Sequence, residues 1–274
     1  MAIEKTIAPM RGSAVEEVYQ VLYERIVGGV YPPGLRLSQL DLSNEFSTSR
    51  TPLREAMNRL QANGLVVANR NRGMVVAPIC DDKTEHWYAL RLLVEPTIVA
   101  SLVPAFDAEH VAAMAKALEG MRLNMERTRA YQQAHFEFHN VALQRYPVAI
   151  REMVEAIYVN IERSQSRHFT RPHVAEDFVD IDALLLEAFR SRHAEMARRI
   201  LEFHLLDAGL GMIRDIDSDK VPATLLVAAR GVGIEIDAPA DGPLPRPTPM
   251  LWTRPGRVDL PALRTGNLQY LPAS

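Results

Sequence analysis

From residue 13 to 28 the run SAVEEVYQVLYERIVG sets Val15, Val18, Leu22 and Ile26 at three- and four-residue spacing. That period predicts an amphipathic helix behind a Ser13 cap, stopped by Gly28 and Gly29. YPPGLRL reads as a turn, after which Ser38 caps a short helix, SQLDLSNEF, that turns Leu40, Leu42 and Phe46 inward. A second short helix follows a tight turn in TSRTPLREAMNRLQANG. Ser49 or Thr51 serves as its cap, Pro52 sits in its first turn, and Asn63 with Gly64 ends it. LVVAN and MVVAP alternate as strands do, and the RNRG between them has hairpin chemistry. Helix, helix, tight turn, helix and hairpin is the order of a winged helix-turn-helix, placed at residues 13–78 behind a flexible stretch at 1–12.

The period changes after residue 80. From 81 to 214 about six segments carry apolar residues at helical spacing, with Pro104, Pro147 and Pro172 marking breaks. Short connections leave such helices nothing to bury their stripes against except one another, which predicts an antiparallel bundle and a mainly α protein. Residues 215–274 break the pattern. Nine of the 18 prolines lie beyond Lys220, and PADGPLPRPTPMLW excludes helix. TLLVAARGVGIEID reads as a short hairpin about RGVG or as unstructured chain, and the extension as packed on the bundle, mediating contacts or free.

Charge sharpens the division. The chain carries a net charge of −3, yet residues 1–78 hold nine bases against seven acids, and all six bases within 36–72 are arginine. A basic front on an acidic body predicts an anionic partner for the front alone. A single cysteine, Cys80, excludes an internal disulfide framework. The polar start, broken by Pro9 and Gly12, lacks the apolar length of a leader or a span, so a cytoplasmic protein with no membrane partner is expected.

A helix placed in the major groove needs long donors near its N-terminus, and Arg50, Thr51 and Arg54 supply them. Arg59 lies farther along. Arg36 is placed for a phosphate contact, and Arg72 beside Gly73 suits a wing that approaches the DNA backbone. The run PPGLRLSQLDLSNEFSTSRTPLREAMNRLQANGLVVANRNRGMVV, with SRTPLREA as its most diagnostic part, resembles the DNA-binding domain of the GntR family of bacterial transcription regulators. The resemblance implies that Arg36, Arg50, Thr51, Arg54 and Gly73 match operator-contacting positions.

In HFEFH, His135 and His139 stand four apart and share a helix face. The segment from RLLVEPTIVA through FEFHNVAL to the last helix resembles the FCD effector domain of the FadR-type branch of that family. In its metal-binding members the resemblance implies an aspartate four residues before a histidine, then one histidine on each of the last two helices. Those positions fall here on His135, His139, Asp182 and His204, so His135 stands where the family has aspartate and Asp182 where it has histidine. The inventory of three imidazoles and one carboxylate survives the exchange. It suits a divalent ion, zinc first, with nickel, manganese or iron as alternatives. Asp180 competes with Asp182 for the inward position, since two residues along a helix change its face. Arg91 reads either as an effector-binding residue beside the metal or as the salt-bridge partner of Glu95. His86, His110, His168, His173 and His193 read as surface or helix-end residues.

Joined, these readings predict a regulator, a repressor by expectation, acting as a homodimer on a palindromic double-stranded operator and tuned by a small carboxylate at the metal. A metal-dependent enzyme and a metal-free reader of an apolar acyl ligand are the competing readings.

Overall fold

A computed structural model describes residues 14–70, 73–78, 81–239, 242–254, 258 and 260–272. The chain forms two compact units, residues 1–79 and 80–274. The expected Ser13 cap, Arg72 and Cys80 lie outside the described residues.

In the first unit α1 (Ala14–Val27) buries Val18, Tyr19, Leu22 and Ile26. After it come β1 (Arg36–Leu37), α2 (Gln39–Glu45) and α3 (Arg50–Ala62). The Ser38 hydroxyl accepts from the Asp41 N–H at the start of α2, satisfying one of the amide groups a helix leaves free at its N-terminus. Leu42 is buried, but Leu40, expected inward, is 55% exposed. Two residues apart on a helix point to nearly opposite sides, so only one of the pair can face the core. α3 buries Leu53, Ala56, Met57 and Leu60, one face at spacings of three and four. Gly64, at φ +71°, makes the left-handed turn out of it.

β2 (Val66–Asn69) pairs antiparallel with β3 (Gly73–Val76), with Asn69 opposite Gly73 at φ +72°. The expected hairpin has a third strand: Arg36 and Leu37 pair with Val75 and Met74, giving the order β1-β3-β2. YPPGLRL is therefore part turn and part strand. Two residues are too few to show a period of two, so only the fold reveals the pairing.

Among the described residues the second unit holds six bundle helices. They are α4 (Asp81–Leu102), α5 (Ala108–Leu123), α6 (Thr128–Leu143), α7 (Val148–His168), α8 (Val174–Arg190) and α9 (Ala194–Ile216). A 3-10 turn at Val103–Ala105 holds Pro104, and the Asp107 carboxylate caps α5. Among the described residues one stretch, Lys83–Ala105, is long and apolar enough to cross a membrane. In this fold α4 instead packs against α9 and α10.

The described residues beyond α9 are built onto this bundle. α10 (Ala223–Gly231) is followed by β4 (Ile234–Ile236), β5 (Thr248–Trp252) and β6 (Leu268–Tyr270) in the order β4-β5-β6. The hairpin reading of TLLVAARGVGIEID fails over its first half, because TLLVAARG is helical. Its cap is remote in sequence: the Glu85 carboxylate accepts from the N–H groups of Thr224 and Leu225. α9 carries further anchors. Trp252 Nε1 and Arg254 donate to Glu202, Thr265 donates to Asp207, and Arg214 donates to Thr248 Oγ1 and to the carbonyls of Pro245 and Asn267.

Candidate functional site

α6 brings His135 and His139 to one side, α8 contributes Asp182 and α9 contributes His204. One ligand atom from each lies within 4.8 Å of all the others. Asp182 is fully buried, and Asp180 is exposed, which resolves the choice between them. His135 Nε2 and His139 Nε2 face each other at 3.2 Å. From the Asp182 oxygens to His135, His139 and His204 the separations are 3.5, 3.4 and 3.3 Å.

Two observations test whether these residues fit a metal ion. Both Asp182 oxygens and His204 Nδ1 are buried without a hydrogen-bond partner, although buried polar atoms are nearly always satisfied. The separations are also longer than the usual N–H···O contact. They match the edge of a tetrahedron of donors about 2.1 Å from a common centre, about 3.4 Å. The four residues therefore fit a divalent ion better than they fit one another.

The electrostatics agree. Burial pushes His135 well below the ordinary imidazole value, helped by His139 and Arg91. Burial and Arg91 push His139 down to about 3. Burial lowers His204 strongly against the pull of Asp182. At neutral pH all three rings are uncharged, the state in which imidazole binds a metal. Burial raises the Asp182 carboxyl to about 7, so its anion lacks a compensating cation.

Arg91 makes the expected salt bridge to Glu95. It is buried, its Nε donates to Glu95, and an Nη donates to Tyr158 Oη at 2.8 Å. Tyr146 Oη donates to the other Glu95 oxygen at 3.3 Å. Beside this cluster lies a small enclosed cavity of about 10 Å³, bordered by His139 and Glu95. Sequence reasoning missed Tyr146 and Tyr158, whose spacing does not distinguish them from ordinary core tyrosines. His168, expected at the surface or at a helix end, does end α7, but it is buried, 2% exposed, with Nδ1 2.7 Å from Asp215.

On the winged helix, Arg36, Arg50, Thr51, Arg54 and Gly73 are all exposed. Arg50 and Thr51 open α3, whose cap residue Ser49 makes no side-chain hydrogen bond to it. Among the described residues no ion pair or hydrogen bond engages the side chains of Arg36, Arg50 or Arg54. Arg59, by contrast, is held by Glu16 at 2.8 Å and lies over the Tyr19 ring, and Arg25 is held by Glu45.

Residues 14–76 match the family described as bacterial regulatory proteins, gntR family, and residues 86–207 match the FCD domain. Similar proteins include the uncharacterized HTH-type transcriptional regulator YdhC of Bacillus subtilis (strain 168), 23% identical over 195 residues, covering 69% of this chain and 86% of the relative. The HTH-type transcriptional repressor RspR of Escherichia coli (strain K12) is 22% identical, covering 80% of this chain and 98% of its own. The galactonate operon transcriptional repressor of the same strain is 28% identical over 52% of this chain and 75% of its own. A GntR transcriptional regulator from Rhodococcus sp. RHA1 shares the fold, with a TM-score of 0.62 at 24% identity over 74% of this chain and 98% of that one. The fold and these matches define a DNA-binding transcription regulator with a winged helix and a helical C-terminal domain. The chain belongs to the GntR family, in the branch that carries an FCD domain.

Proposed function

We propose that this regulator is a repressor whose affinity for its operator is set by a small organic acid bound at a metal site made by His135, His139, Asp182 and His204. The observation that carries the reading is the buried, otherwise unpartnered donor set. When bound, a divalent ion there, zinc before nickel, manganese or iron, would supply a fixed positive charge able to hold an acid's carboxylate. The protein's own part is to keep the three imidazoles neutral, to exclude water, and to hold Arg91 between Glu95 and Tyr158 beside the site. Repressors among the relatives support the sign of regulation.

DNA recognition in this reading falls to Arg50, Thr51 and Arg54 at the start of α3, with Arg36 on the phosphates and the Gly73 wing alongside, Arg72 included by its sequence position. One such helix reads only a few base pairs, so a symmetric homodimer on a palindromic operator is the assembly that gives adequate specificity. Ligand binding changes operator affinity only as far as it distinguishes two arrangements of the protein. A cytoplasmic location accords with that role.

The enzyme reading has little to work with. Glu137, the carboxylate nearest in sequence, is exposed and bonded by Gln133. A metal-free acyl reader would leave four converging donors without a use. Zinc content of the purified protein and of a His139→Ala, His204→Ala variant tests the proposal. Equal metal in both sinks it.

A further inference from the structure

Resting on the metal-centred reading above, we infer that the acid this site takes is a small monocarboxylate with an apolar body, rather than a polyhydroxylated or polycarboxylated acid. The cavity beside His139 carries the inference. Its wall is formed largely by Val99, Met114, Leu143, Leu185, Phe189 and Leu201, contributed by five different helices. Of the polar groups that border it, Glu95, Tyr146 and Tyr158 are linked through the Arg91–Glu95 pair, and His139 belongs to the metal site. Glu95 accepts from Arg91 and Tyr146, and Tyr158 accepts from Arg91. A ligand hydroxyl turned toward the apolar side of this wall meets no partner, and each one buried that way weakens binding by about tenfold or more.

Charge gives a second, independent argument. With neutral imidazoles, a divalent ion, the Asp182 carboxylate and the mutually compensating Arg91–Glu95 pair leave a single positive charge. One carboxylate balances it. A second would be buried without a counter-ion, because Arg91 is not spare: Glu95 and Tyr158 already hold its guanidinium. Size adds a third limit. The cavity holds about 10 Å³, roughly one water, so anything larger must displace its walls. Met114 is the wall residue best suited to yield, being unbranched and flexible. A long acyl chain would demand far more displacement than a short or compact body.

The experiment is a calorimetric titration of the zinc-loaded, full-length protein with isobutyrate, benzoate, gluconate and citrate, preceded by a zinc titration of the metal-free protein. Isobutyrate or benzoate is expected to bind at least about tenfold more tightly than either gluconate or citrate. Gluconate or citrate binding as well as the monocarboxylates overturns the inference, and so does the failure of both monocarboxylates to bind. Zinc uptake together with gluconate preference overturns this ligand class while leaving the metal site standing. A protein that takes up no zinc overturns the site and this inference with it. Val99→Thr keeps the shape of the wall and adds a hydroxyl. It is expected to weaken the preferred monocarboxylate about fivefold at unchanged zinc affinity. Unchanged monocarboxylate affinity in that variant detaches the ligand from this cavity and overturns the assignment.

Discussion

The two units treat charge in opposite ways. In the winged helix Arg36, Arg50 and Arg54 are exposed, with no ion pair or hydrogen bond among the described residues. In the helical unit Arg91 and Arg214 are buried, each with several hydrogen-bond acceptors around its guanidinium. Leaving a cation in water costs little and lets it act at a distance on a polyanion. Burying one is tolerable only when partners are arranged in advance. The contrast separates charges that await a partner from charges that hold a shape. Asp182 falls in neither class, being buried like the second kind and unpartnered like the first.

That exception is where the comparison breaks most sharply. Replacing His139 and His204 together is expected to lower zinc affinity by about three orders of magnitude, the scale of losing two of four ligands. Metal analysis after dialysis checks it. Asp182→Asn should separate the two states of the protein. Burial holds the Asp182 carboxyl at about 7 against an ordinary 3.8, so the metal-free fold loses stability as pH rises from about 4 to 7. The asparagine variant is therefore expected to melt no lower than the metal-free parent at pH 8, yet to gain nothing from zinc. A thermal scan of both proteins with and without zinc decides it.

On the outward side, Arg50→Ala with Arg54→Ala is expected to weaken specific DNA binding about 100-fold, the scale of two base-edge contacts, while leaving the melting temperature unchanged. Arg59→Ala should do the reverse in kind, costing some stability through the lost Glu16 and Tyr19 contacts and little DNA affinity. Equal DNA losses from both changes would erase the distinction between waiting and structural arginines. For pH, zinc affinity is expected to fall about tenfold per unit below about pH 7, one proton for each ion bound. Asp182 must shed that proton, whereas His139, at about 3, and the strongly lowered His135 and His204 carry none to shed. A slope of two or more protons in calorimetry would contradict this picture. The smallest effect belongs to Trp252→Phe, which removes the bond to Glu202 but leaves that of Arg254. About 1 kcal/mol of stability should go with it, read from denaturant midpoints.

How much of this was legible depended on whether the deciding interaction was local. α1 and α3 show their buried stripes and stops locally, α2 only in part, since Leu40 turns outward, and HFEFH is a weak sign by spacing alone that became half of a candidate site only through the resemblance. The preference for Asp182 over Asp180 came through resemblance and needed the fold to settle it. β1 was hidden because its pairing partner lies nearly 40 residues on. α10 was hidden because its cap is Glu85, nearly 140 residues earlier. His168 likewise takes its burial from packing and its partner from Asp215 on another helix, neither of which its own neighbours in sequence display.

The dense anchoring of α9 has a consequence for anyone who cuts the protein apart. The FCD match ends at residue 207, and a fragment stopped near residue 214 would contain all of it. Such a fragment would strip Trp252, Arg254 and Thr265 from Glu202 and Asp207, and the acceptors from Arg214. It would leave Asp207, raised to about 7 by burial and steadied by Thr265, as an orphan on the helix that carries His204. The smallest piece worth expressing to study the helical unit therefore runs through Tyr270. A reporter fused to a shorter piece would be measuring a damaged helix rather than an effector response.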